Sequence, residues 1–93
     1  MTKEDIDIKS KLDSIAWTVF RINRETNNTA LFQVGKYRIG IYYYESRKIG
    51  NAVFTWGFTY NETHSAIIQK LTDCEKRLLF ELRRSNQNTR RTI

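Results

Sequence analysis

The sequence predicts an α+β fold of order α-β-β-β-α, in which two helices pack on one face of a three-stranded antiparallel sheet. Two observations carry this reading. Apolar residues recur at helical spacing near both ends of the chain, and the stretch between them alternates with period two. The size agrees: 93 residues, 40% of them hydrophobic and none of them proline, are enough for one core. Residues 1–85 accordingly read as a single compact domain, and residues 86–93 as a basic, flexible C-terminal tail.

The first helix rests on Ile8, Leu12, Ile15, Val19 and Ile22, which step by 4, 3, 4 and 3 and form one stripe. Thr2 with Asp5 makes a capping box with Asp in the place of Glu, so the helix begins close to Thr2. It ends in "RETNNT", where Asn27 and Asn28 suit a turn. Two strands follow, "ALFQV" and "KYRIGIYYY", joined by a tight turn at Val34-Gly35-Lys36-Tyr37. In the second, Tyr37, Ile39, Ile41 and Tyr43 point one way and Arg38, Gly40, Tyr42 and Tyr44 the other. "ESRKIGN" is a polar turn, and the third strand is "AVFTWGFTY", over 52–60. Ala52, Phe54, Trp56, Phe58 and Tyr60 share its heavy face, opposite Val53, Thr55, Gly57 and Thr59. Asn61 or Thr63 caps the second helix. Its stripe is Ile67, Leu71, Cys74, Leu78 and Leu82, and it is expected to fade after Arg84.

The net charge of +6 is unevenly placed. Residues 1–29 are balanced, while 30–60 and 61–93 each carry an excess of three basic groups. The last eleven residues, "RRSNQNTRRTI", hold four Arg and no acid. Such a balance suits nucleic acid or an acidic protein surface. A single cysteine, Cys74, rules out a disulfide within one chain, and with a single His64 a transition metal finds few ligands, so no cofactor is expected. No apolar run reaches ~18 residues and no charged-then-apolar leader is visible, so the chain reads as cytoplasmic, without membrane.

Catalysis finds no constellation. His64 and Cys74 stand ten residues apart on one helix, about 15 Å along its axis, which is too far for a hydrogen bond. There is no glycine-rich phosphate loop, paired-carboxylate motif or nucleophile elbow. The triplets Gly40-Ile41-Tyr42 and Lys48-Ile49-Gly50 resemble the signature of the GIY-YIG endonucleases. Only five residues, Tyr43 to Arg47, separate them, Lys48 replaces the expected Tyr, and no Arg follows before Arg77. The carboxylates Glu62, Asp73, Glu75 and Glu81 are spread around the second helix and build no cation site. The expectation is a protein that is not an enzyme.

Three surfaces could hold a partner. On the first helix Trp17 lies about 180° from the core stripe, with Arg21 and Arg24 on the same outer face. On the second, Phe80 is bordered by Lys76, Arg77, Arg83 and Arg84, a stripe that Arg90 and Arg91 would prolong. On the light face of the sheet Arg38, Tyr42, Tyr44, Thr55 and Thr59 surround Gly40 and Gly57. The arginines and Lys76 suit phosphates; Trp17, Tyr42, Tyr44 and Phe80 suit stacking or an interface.

The element order with a basic second helix is similar in outline to the double-stranded-RNA-binding domain. That family opens its second helix with a Gly- and Lys-rich segment, where this chain has "YNETHSAIIQK". A weaker likeness is to three-stranded DNA-reading sheets followed by a helix, with "GFTYNETHSA" as the junction. The first expectation is therefore a small basic protein that binds nucleic acid without catalysis. The alternative is a protein-interaction module or inhibitor that docks on a larger protein or nucleoprotein. Compact, proline-free, Asn-, Thr- and Ile-rich chains of this size resemble those that phages and mobile elements set against host defences, anti-CRISPR proteins among them. A homodimer would hide Trp17 or Phe80.

Overall fold

The computed structural model describes residues 2–45 and 53–91, with side chains as far as Ser85. The element order is α1 (Lys3–Glu25), β1 (Thr29–Val34), β2 (Arg38–Tyr44), β3 (Phe54–Thr59) and α2 (His64–Arg91). The strands form one antiparallel meander in the order β1-β2-β3, and both helices contact each other and the sheet. The fold is the α+β arrangement expected. The turn beyond Glu45, the triplet Lys48-Ile49-Gly50 and Ala52 lie outside the described residues.

Local chemistry sets the ends of α1. The Asp5 N–H donates to Thr2 Oγ1 at 3.1 Å, and the Thr2 N–H donates back to Asp5 Oδ2 at 3.3 Å. At the other end the Thr26 N–H and hydroxyl both donate to the Ile22 carbonyl, at 3.1 and 2.7 Å. The Thr26 oxygen then accepts the Asn28 N–H at 3.0 Å, which turns the chain into β1. The Thr63 hydroxyl accepts the Ala66 N–H at 3.2 Å and caps α2.

Three differences from expectation concern element ends, and the first is β2, which begins at Arg38 and not at Lys36, leaving Tyr37 exposed in the turn. β3 begins at Phe54 and closes at Thr59, shorter than the expected 52–60. α2 does not fade after Arg84 but is helical to Arg91. No proline or glycine follows Arg84 to stop it, and polar residues such as Gln and Arg carry a helix well enough once a packed helix precedes them.

The two helices run parallel. Asp7 lies beside His64, Lys11 and Ser14 both reach Glu75, and Asn28 meets Ser85, so the contacts advance along both helices together. Their apolar stripes close on the heavy face of the sheet. Ile15, Val19 and Ile22 meet Ile39, Ile41, Tyr43 and Phe58, together with Ile67, Leu71, Cys74, Leu78 and Leu82. Tyr43 stacks on Phe54 at 4.7 Å, and Phe54 meets Trp56 edge-on at 4.5 Å. Burial of each large apolar side chain contributes roughly 1.5–3 kcal/mol.

Both sheet edges are partly closed by side chains. On β1, Asn23 accepts the Ala30 N–H and donates to the Ala30 carbonyl, each at 2.8 Å. On β3, Glu62 accepts the Thr59 N–H at 2.9 Å while Lys70 donates to the Gly57 carbonyl at 3.3 Å. Glu62 and Lys70 pair with each other at 2.6 Å, which holds the Glu62 carboxyl below its ordinary range. Each clamp offers the edge the donor and acceptor that another strand would offer. Asn23→Ala is expected to cost about 2 kcal/mol, since two part-buried bonds are lost and the N–H and carbonyl of Ala30, itself 1% exposed, are left without them. Chemical denaturation with an unchanged m-value would check it.

Candidate functional site

The open face of the sheet is where the structure departs most from ordinary strand chemistry. Gly40 and Gly57 are direct partners across β2 and β3. A glycine inside a strand costs roughly 0.5–1 kcal/mol relative to alanine. Neither position has the positive φ that would require glycine, and the nearest backbone atom to a Cβ at residue 57 would be the Ile39 oxygen at 3.4 Å, an ordinary contact.

The space above the two glycines is filled from both ends of β2. A Cβ at Gly40 would stand 2.7 Å from the Tyr42 hydroxyl oxygen and 3.0 Å from two of its ring carbons. A Cβ at Gly57 would run into the Arg38 guanidinium, whose Cζ lies 3.5 Å away and Nη2 closer still. Tyr42 is half-buried, Gly40 is buried beneath it, and Arg38 remains exposed. Among the described residues Arg38 has no carboxylate partner, because Glu62 is held by Lys70 and Glu45 lies 3.6 Å from Arg84. Thr55, Thr59 and Gln33 are exposed around this centre, and Tyr44 lies further along β2, half-buried. A planar ring and a planar cation thus lie low on the sheet, side by side.

The second helix divides the basic residues that the sequence groups together. Arg77 and Arg84 turn toward Glu81, which is only 3% exposed. Arg77 Nε donates to it at 3.3 Å, and Arg84 donates through Nε and Nη2 at 3.1 and 2.6 Å. Arg77 also caps the Phe54 ring at 4.6 Å and so closes the aromatic cluster. Lys76 and Arg83 remain exposed beside Phe80, itself 59% exposed, and have no ion pair among the described residues. The side chains of Arg90 and Arg91 lie outside the described residues.

On α1, Trp17 is 61% exposed and stacks on Phe20, itself 48% exposed, with ring centroids 5.3 Å apart. Arg24 lies 5.9 Å from the Phe20 centroid, while Arg21 is held by Glu25 at 2.7 Å. The sequence-predicted residues therefore occupy three separate faces: Arg38, Tyr42 and Tyr44 on the sheet, Lys76, Phe80 and Arg83 on α2, and Trp17 on α1. Phe20 was missed as part of the α1 patch, although its i+3 spacing from Trp17 is the signal for it.

Comparison with known proteins matched no family model, no curated protein and no solved structure.

A cleft of about 260 Å³ opens between the starts of the helices, lined by Asp7, Ser10, Lys11, His64 and Ile68. The His64 Nε2 atom is buried there without a hydrogen-bond partner, 4.0 Å from Asp7 Oδ2. Lys11 is already paired with Glu75 at 3.3 Å. No three His, Cys, Asp or Glu side chains gather as a metal site among the described residues. Cys74 is fully enclosed in the core, where burial first and the nearby Glu75 second push its thiol up to about 12. No helix among the described residues is long and apolar enough to cross a membrane.

Proposed function

We propose that this protein binds nucleic acid without catalysis, through the open face of its sheet. The observation that carries the reading is the placement of Tyr42 and Arg38 over the paired glycines: a stacking ring and a cation that, among the described residues, have no carboxylate against them and no helix over them. The net charge of +6 supports it by attracting phosphates at long range. Lys36 and Arg38 extend the positive field at the β1–β2 turn, where both are exposed. A protected, weakly acidic Cys74 is a core residue in this reading, and the cytoplasm is its compartment.

The test is fluorescence anisotropy with labelled DNA and RNA oligonucleotides at low and near-physiological salt. Binding is expected to weaken with salt, and Arg38→Ala is expected to reduce the slope of log K against log salt by about 0.7–0.9, one phosphate contact. Absence of binding at low salt would refute the reading.

One observation favours a second reading, a protein-docking module or inhibitor of a larger protein or nucleoprotein. Trp17 and Phe20 make a stacked, exposed aromatic pair beside Arg24, the composition typical of an interface anchor. Sedimentation at increasing concentration, with Trp17→Ala as control, would show whether that patch pairs two copies of the chain.

A further inference from the structure

We infer that the sheet face takes single strands, DNA or RNA, in preference to a duplex, with one base on Tyr42 and the adjoining nucleotide on Arg38. The inference rests on the nucleic-acid reading above and specifies its ligand.

Three features argue for a single strand. The first is the shape of the face. A duplex is read by a helix or ribbon that enters its major groove, whereas among the described residues nothing stands up from the centre of the sheet. Gly40 and Gly57 carry no side chain, and the groups above them are folded down onto the backbone. The second is the chemistry of those groups. A tyrosine ring and a guanidinium both stack on the face of a base, and in a duplex those faces are covered by neighbouring bases. Only unpaired bases present them. The third is arrangement. Tyr42 lies over β2 and Arg38 over β3, on strands about 4.8 Å apart, so two neighbouring planar groups are offered together. Arg38 also supplies a charge for the phosphate between the bases, with no carboxylate against it among the described residues.

The glycine pair makes the inference testable without disturbing the core. At both positions the atoms that an added Cβ would displace are the far ends of flexible side chains, so the strands can accept alanine. Gly40→Ala would lift the Tyr42 ring, and Gly57→Ala would lift the Arg38 guanidinium.

The experiment compares a short labelled single strand, as DNA and as RNA, with the blunt duplex of the same sequence. The probes are titrated into the wild-type protein, the Gly40→Ala/Gly57→Ala double variant, Tyr42→Leu and Tyr42→Phe. The expected result is single-strand binding at least about 10-fold tighter than duplex binding. Tyr42→Leu is expected to lose about 10-fold of it, a typical stacking contribution, and Tyr42→Phe to retain it. The double variant is expected to lose single-strand binding while its melting temperature stays at or above that of the wild type. Duplex binding as tight as single-strand binding would overturn the single-strand inference and leave the nucleic-acid reading standing. Absence of binding to every probe would overturn both. Full single-strand binding by a folded double variant, or by Tyr42→Leu, would overturn the placement on this face.

Discussion

Between pH 9 and 12 the protein is expected to lose on the order of 4 kcal/mol of stability through Cys74 alone. The thiol is fully enclosed among core residues, and burial raises it from 9.0 to about 12. The sign follows from proton binding. Below pH 9 both the folded and the unfolded chain hold the proton, and the thiol contributes nothing to pH dependence. Above pH 9 the unfolded chain releases it and the folded chain cannot, so stability falls by about 1.4 kcal/mol per pH unit until the folded thiol also ionises near 12. Tyr43 acts in the same direction from its ordinary value of 10.0, because burial raises it too. Urea melts of the wild type and Cys74→Ala at stepped pH would isolate the cysteine. The variant is expected to be slightly less stable near pH 7, where it leaves a small cavity, and more stable than the wild type at the alkaline end. Parallel curves for the two proteins would show that the thiol ionises without unfolding the core.

Glu81→Ala is expected to destabilise the protein by about 3 kcal/mol, as typical of a buried carboxylate with charged hydrogen-bond partners. In a domain of this size that lowers the melting temperature by more than about 10 °C. Glu81 is 3% exposed and accepts bonds from Arg77 and from both Arg84 nitrogens. Its removal also frees Arg77 from the Phe54 ring and uncovers the aromatic cluster against which α2 packs. Lys76→Ala and Arg83→Ala, at exposed sites of like charge on the same helix, are expected to stay within about 0.5 kcal/mol of the wild type. The contrast decides what the basic residues of α2 are for. A Glu81→Ala protein as stable as the wild type would mean that Arg77 and Arg84 stand free for phosphates, and α2 would then become a competing binding face.

That contrast also shows how far the site could be read before folding. The spacing of Arg77, Glu81 and Arg84 at i, i+4 and i+7 is written in the chain, and two helical pairs are legible from it. The burial of Glu81 is not, because it depends on what distant parts of the chain bring against α2, as Phe54 is brought against Arg77 and Glu45 against Arg84. Arg77 and Arg84 therefore read as two more cations on a basic stripe; both are exposed but tied to Glu81, whereas Lys76 and Arg83 are exposed with no ion pair among the described residues. The helix beyond Arg84 was likewise hidden, since "NQNTRR" has weak helical signals of its own and continues a helix already held by packing.

The sequence by itself determined the elements and their buried sides. A stripe such as Ile67-Leu71-Cys74-Leu78-Leu82 and an alternation such as Ile39-Ile41-Tyr43 are properties of near neighbours, so they survive without knowledge of the rest of the chain. The Thr2–Asp5 cap is local in the same sense. Only the tertiary structure decided the parallel course of the helices, the side-chain clamps on both sheet edges, and the register that sets Gly40 opposite Gly57. A shift of one residue in that register would part the glycines, and with them the places where Tyr42 and Arg38 lie down. Pairing between strands is a relation between distant residues, decided when the whole core closes on one face, and the other face takes its form from that choice.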